Sequence, residues 1–136
     1  KGRHTSDRGI VARLKASGLR VSAFCEPNAK IDQIETAQAL GIDRVELYTG
    51  PYGACYDDPA LQDERREQLC RTAALASQHG MGVNAGHDLN LDNLAYYQQQ
   101  VPGLLEVSIG HALVADALYY GMANTSQMYL QCLEGA

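Results

Sequence analysis

Four short β-prone runs alternate with helical segments along this chain, and that alternation limits the folds open to it. A strand that leads into a helix and then into another strand builds a parallel sheet with helices packed outside. The runs are Leu19 to Phe24, Arg44 to Tyr48, Gly82 to Ala85 and Leu105 to Ile109. A helix is predicted ahead of the first, over residues 6–18. Ser6 or Asp7 caps it, Ile10, Val11 and Leu14 share one side, and Gly18 stops it. Further helices are predicted from Ala29 to Leu40, Pro59 to His79, Leu91 to Gln100 and Ala112 to Leu133, the last interrupted near Gly121. Residues 25–28 and 49–53 read as loops, rich in Pro, Gly and Asn. Four βα units are too few for a closed barrel, which takes eight, and one short of the usual flavodoxin-like sheet. The chain therefore reads as half of a parallel α/β barrel.

Two of the runs end in the same way. Val83-Asn84-Ala85 leads into Gly86-His87-Asp88, and Leu105 to Ile109 leads into Gly110-His111. Histidines at the ends of two parallel strands gather at the end of the sheet where α/β folds bind their ligands. A glycine before such a side chain is expected to let the backbone turn and a ligand approach. Asp88, Asn90 and Asp92 read as a polar helix start.

Composition narrows the function classes. The 136 residues suit one domain with a modest core. A net charge of −5 without a Lys/Arg cluster argues against nucleic-acid binding. No apolar run approaches the ~20 residues that span a bilayer, so no membrane partner is expected. No basic and apolar leader opens the chain, and Lys1-Gly2-Arg3-His4 lacks an initiator Met, so the coding sequence is expected to extend upstream. The cysteines (Cys25, Cys55, Cys70, Cys132) are scattered without a C-x-x-C pair. That argues against a zinc ribbon or a dithiol redox site, and the chain reads as cytoplasmic with free thiols.

Glu46 lies between Val45 and Leu47 on its strand. Strand side chains alternate, so Val45 and Leu47 can face the helices while Glu46 and Tyr48 face the other way, which in a barrel is the interior. Lost solvent there favours the protonated carboxyl and suits it to acid–base work near neutral pH. An ordinary structural ion pair is the alternative. His87 and His111 can act as acid or base at pH 7 with little perturbation. A metal held by His87, His111 and Glu46 is a rival reading, without an H-x-H or H-E-x-x-H spacing to support it. Gly110, His111 and Ala112 open a helix whose free N–H groups favour a phosphate. Tyr96, Tyr97, Tyr119, Tyr120 and Tyr129 fall on predicted helices and read as core or interface packing.

Several stretches together resemble one family. They are Thr5-Ser6-Asp7 with Gly9, residues 20–24 (Arg-Val-Ser-Ala-Phe), residues 44–52 (Arg-Val-Glu-Leu-Tyr-Thr-Gly-Pro-Tyr), residues 83–89 (Val-Asn-Ala-Gly-His-Asp-Leu) and residues 107–113 (Val-Ser-Ile-Gly-His-Ala-Leu). The chain is similar to the C-terminal half of the pyridoxine 5′-phosphate synthases of vitamin B6 biosynthesis. The resemblance implies strands five to eight of a (β/α)8 barrel. It also implies condensation of 1-deoxy-D-xylulose 5-phosphate with 3-amino-2-oxopropyl phosphate, releasing phosphate and water, without metal or cofactor. By resemblance, His87 is the proton donor and Glu46 assists the acid–base steps. Gly110 and His111 hold the aminooxopropyl phosphate, and Thr5 contacts the deoxyxylulose phosphate. Asp88 stands in a phosphate loop where many members have glycine. The family's other catalytic histidine and glutamate, and its substrate-binding arginines, belong to strands this chain does not contain. The half alone is therefore expected to be inactive, and the resemblance implies a homo-octamer.

Two other readings remain. Another phosphosugar barrel enzyme is one, but Lys1, Lys15 and Lys30 all fall off the predicted strands, which argues against a Schiff-base aldolase. A non-catalytic half-barrel interaction module is the other.

Overall fold

The computed structural model describes residues 3–55 and 57–134, with side chains from residue 7 on. The described residues form four strands and seven helices. In chain order these are α1 (Arg3–Ala16), β1 (Ser22–Cys25), α2 (Ile31–Leu40), β2 (Arg44–Tyr48), α3 (Gly50–Gly53) and α4 (Pro59–Gln78). They continue with β3 (Gly82–Gly86), α5 (Leu94–Gln100), β4 (Leu104–Ser108), α6 (His111–Tyr120) and α7 (Met122–Glu134). The strands make one parallel sheet in the order β1-β2-β3-β4. An α/β architecture with helices between consecutive parallel strands is thus established, in keeping with part of a TIM-type barrel.

The alternation on β2 sorts the two faces of the sheet. Val45 and Leu47 are buried, as are Val83 and Ala85 on β3. They pack with Ile34 of α2, Leu69, Ala73 and Ala76 of α4, Tyr52 of α3, and Leu94 and Tyr97 of α5. Each large aliphatic side chain so buried contributes about 1.5–3 kcal/mol. Thr72 of α4 adds a buried hydrogen bond, donating to the Pro27 carbonyl at 2.7 Å. The opposite face carries Phe24, Arg44, Glu46, Tyr48, Asn84 and Glu106. Phe24 there is 64% exposed. A register shift between Val83 and Asn84 leaves Leu105 without an opposite residue on β3.

Several boundaries differ from the sequence expectation, each for a local reason. α1 begins at Arg3, so Ser6 and Asp7 lie inside the helix and do not cap it. Of its expected apolar side only Val11 is buried, while Ile10 and Leu14 are exposed. β1 is confined to Ser22–Cys25, because the N–H groups of Asp43 and Arg44 both reach back to the Val21 carbonyl and end the ladder there. Residues 49–53 are not an open loop. Gly53 and Ala54 donate to the carbonyls of Thr49 and Gly50, making the helical turn α3, with Pro51 in its first turn where a donor is dispensable. The buried Tyr52 anchors that turn against Tyr97, ring centroids 5.3 Å apart. Asp88, Asn90 and Asp92 do not open a helix. The Asn90 side chain accepts from the N–H groups of Asp92 and Asn93, an Asx turn that delays α5 to Leu94. The last helix divides into α6 and α7 at Gly121, which takes φ 79°. The tyrosines divide too: Tyr97 and Tyr129 are core residues, while Tyr96, Tyr119 and Tyr120 are exposed.

Candidate functional site

The ends of β2, β3 and β4 bring the two Gly-His segments together. His87 follows β3 directly, and His111 opens α6 after β4. Both line one cleft of about 420 Å³, with Gly50, Gly53, Ala54, Asp88 and Ala112. Glu46 is directed to the same side as Phe24, and its Oε1 lies 3.3 Å from Nδ1 of His87. The two side chains are unequally sheltered: 16% of the Glu46 side chain is exposed, against 61% for His87. The contact is close enough for an ion pair when the imidazole is protonated. It lacks hydrogen-bond geometry, so Glu46 Oε1 is buried without a hydrogen-bond partner among the described residues. A buried carboxylate oxygen left free beside an accessible imidazole is the arrangement expected where protons are to be moved. Phe24 packs beside His87, ring centroids 5.9 Å apart, and Tyr48 beside Phe24 at 6.2 Å.

The backbone at His87 is constrained. It has φ 65°, the one non-glycine residue with positive φ among the described residues, and it closes a three-residue turn in which Asp88 N–H donates to the Gly86 carbonyl at 2.9 Å. A side-chain-bearing residue in that region costs about 1–2 kcal/mol. The His87 N–H donates to the Ser108 carbonyl of β4 at 2.7 Å. Gly86 therefore serves a different purpose from the one expected. Its φ is not positive, and the turn is taken by His87 itself. A Cβ on Gly86 would overlap the Ser108 carbonyl oxygen and come 3.0 Å from Ser108 Cβ, so glycine is needed for the close approach of β3 to β4.

Gly110 precedes α6 with φ −114°, and an added Cβ would meet nothing within 4 Å. It caps α6 without a side-chain hydrogen bond, so the N–H groups of His111, Ala112 and Leu113 have no acceptor within the helix. Unpaired N–H groups and the helix dipole at the edge of a cleft suit an anion. The N–H of Asp88 is already engaged with Gly86, so Asp88 brings its exposed side chain to the cleft. Its Cβ region lies against Gly53, where an added methyl would come 2.9 Å from the Asp88 carbonyl oxygen. Thr5 falls in the first turn of α1, and its side chain lies outside the described residues. Among the described residues no three His, Cys, Asp or Glu side chains converge as a metal-ligand set. Lys15 is on α1 and Lys30 precedes α2, so neither enters the cleft from a strand, while Lys1 lies outside the described residues.

Sequence reasoning missed the layer beneath Glu46. Arg44 donates to Asn84 Oδ1 at 3.0 Å and to Glu106 Oε2 at 2.9 Å, and Arg20 reaches the same Glu106 oxygen at 2.7 Å. The period of two was the available signal: Arg44 shares a face with Glu46, and Asn84 with Gly86. It also missed Thr49. That residue is fully buried, and its hydroxyl donates to the Gly86 carbonyl.

The family model for pyridoxal phosphate biosynthesis protein PdxJ matches residues 2–135. Among curated proteins, the chain is 54% identical over 124 residues to a pyridoxine 5′-phosphate synthase of Chelativorans sp. (strain BNC1), covering 91% of this chain and 50% of that protein. It is 53% identical over 124 residues to the same-named protein of Brucella anthropi and 52% identical over 126 residues to that of Brucella abortus (strain S19), again over half of each relative. The chain thus spans about half the length of the curated relatives it matches. With a match that runs through every strand and through both Gly-His segments, the chain belongs to the PdxJ family of pyridoxal phosphate biosynthesis proteins.

Proposed function

We propose that this chain is the C-terminal half of a pyridoxine 5′-phosphate synthase barrel, supplying strands five to eight. The protein that carries it condenses 1-deoxy-D-xylulose 5-phosphate with 3-amino-2-oxopropyl phosphate. The observation that carries the reading is the meeting of His87 and the α6 N-terminus at one cleft, with Glu46 against His87, in a chain of this family. His87, exposed to the cleft, donates a proton to the departing oxygen. Glu46, sheltered behind it, takes up and returns protons at its free Oε1 and steadies the imidazolium. The first-turn N–H groups at Gly110-His111 hold the aminooxopropyl phosphate, and Asp88 lines the same cleft as part of the substrate-binding loop. Thr5 contacts the deoxyxylulose phosphate. The reading includes a cytoplasmic homo-octamer that binds phosphorylated small molecules. Among the described residues no helix is long and apolar enough to cross a membrane.

The test is synthesis of pyridoxine 5′-phosphate by the full-length protein and its His87→Asn variant. Turnover should fall by about 10²- to 10⁴-fold, the usual worth of general acid–base catalysis, with a smaller change in substrate binding. Unchanged turnover removes His87 from the mechanism, and no product from the wild type removes the proposed function.

A further inference from the structure

We infer that Thr49 is a positioning residue that aims His87 through the backbone. Thr49 precedes α3 at the place where a threonine ordinarily caps a helix with its side chain, yet no cap hydrogen bond forms. The hydroxyl instead donates across the sheet to the carbonyl of Gly86, the residue before His87. That carbonyl also accepts from Asp88 N–H, and it therefore closes the turn whose central residue is His87 at φ 65°. The next amide, His87 N–H, is held by Ser108 of β4.

The strained residue is thus fastened on both sides. β4 fixes its N–H, and Thr49, from the end of β2, fixes the carbonyl just before it. A residue stays in a sparsely populated backbone region only when its surroundings over-determine it. Rotation of the Gly86–His87 peptide would move the imidazole away from Glu46 Oε1, now 3.3 Å distant. Thr49 also follows Tyr48 on the strand that carries Glu46, so one short segment sets both members of the pair. Its complete burial keeps water from competing for the Gly86 carbonyl.

This inference rests on the synthase reading for its kinetic test and is independent of it for its spectroscopic one. In the full-length protein, Thr49→Val removes the hydroxyl and keeps the shape. It should lower kcat by about 10- to 100-fold with KM changed by less than about threefold, as expected when a catalytic group is misplaced by a fraction of an ångström. Thr49→Ser should restore most of the loss. In a His87→Asn background, Thr49→Val should cost less than about threefold more, because a residue acting through His87 has nothing left to aim. The His87 imidazole resonance, followed by NMR, should move in Thr49→Val and return in Thr49→Ser. Thr49→Ala serves the same comparison if the valine variant does not fold. An additive loss in the His87→Asn background, a serine variant as impaired as the valine, or an unmoved imidazole resonance overturns the inference. Wild-type protein without synthase activity overturns the reaction assigned to the site, and the NMR comparison then still decides the role of Thr49.

Discussion

Gly110→Val separates a binding role for that glycine from a packing role, and the structure sets the size of each effect. An added Cβ at Gly110 meets nothing within 4 Å, and φ −114° is open to any residue. The fold should therefore tolerate valine, with stability within about 1 kcal/mol of the wild type. A phosphate on the first-turn N–H groups of α6 is another matter. Hydrogen bonds to a charged group contribute roughly 1.5–3 kcal/mol each, so displacing the anion from one should raise its KM by about 10- to 100-fold. The rise should fall on the aminooxopropyl phosphate, with the deoxyxylulose phosphate affected less. Gly86→Ala is the counterpart. Its methyl group runs into the Ser108 carbonyl, and backbone cannot step aside as a side-chain tip can. It should destabilise the protein by about 1–3 kcal/mol and weaken both substrates together. Urea unfolding midpoints and initial rates on both variants make the comparison. A Gly110→Val protein that unfolds early and loses both substrates alike refutes the anion site. A Gly86→Ala protein with the wild-type midpoint refutes the close-approach account of β3 and β4.

Glu46→Gln should cut turnover while leaving the melting temperature nearly unchanged, because Oε1 makes no hydrogen bond that the amide would forfeit. A destabilised but fully active variant removes Glu46 from the chemistry. Burial, with a smaller contribution from Glu26, pushes the Cys25 thiol up to about 11. Thiolate is the reactive form, so Cys25 should resist alkylation at pH 8 and react progressively as the pH nears 11. Peptide mapping after timed iodoacetamide treatment reads this directly, and rapid labelling of Cys25 at pH 8 contradicts it. The same shift has a stability sign. The folded state favours the neutral thiol, so this contribution is present below pH 9 and is lost as the pH rises towards 11.

The parallel sheet was legible because β2 has the clearest period of any segment. Val45 and Leu47 alternate with Glu46 and Tyr48, and the strand spans Arg44–Tyr48 as expected. Glycine stops were equally plain, with Gly18 and Gly121 both at positive φ just past helices. What escaped sequence reasoning were relations between distant residues. Whether Gly86 turns the chain or admits a neighbouring strand depends on where Ser108 lies. The contribution of Thr49 depends on which carbonyl its hydroxyl meets across the sheet. In the polar layer, periodicity puts Arg44 and Asn84 on the Glu46 face, but setting Glu106 opposite Asn84 needed the register shift between β3 and β4, which periodicity does not reveal. Of the site, the shared cleft of His87 and His111 follows from strand ends alone, whereas the contact of His87 with Glu46, in the middle of β2, does not. The positive φ of His87 does not, since that conformation belongs ordinarily to glycine.

The strand order has a consequence for how the chain assembles. Every pairing in the sheet is between consecutive strands, so each βα unit can dock on the one before it as it forms, with little loop-closure entropy at any step. The bridge from Arg20 to Glu106 breaks this local pattern. Its partners are 86 residues apart, and it cannot close until β4 has arrived. The His87 amide likewise finds its acceptor, Ser108, only on β4. Folding of this chain is therefore expected to proceed by stepwise addition, with His87 fixed at the last step. Any state lacking β4 would hold a sheet of near-native pairing and an unaimed His87.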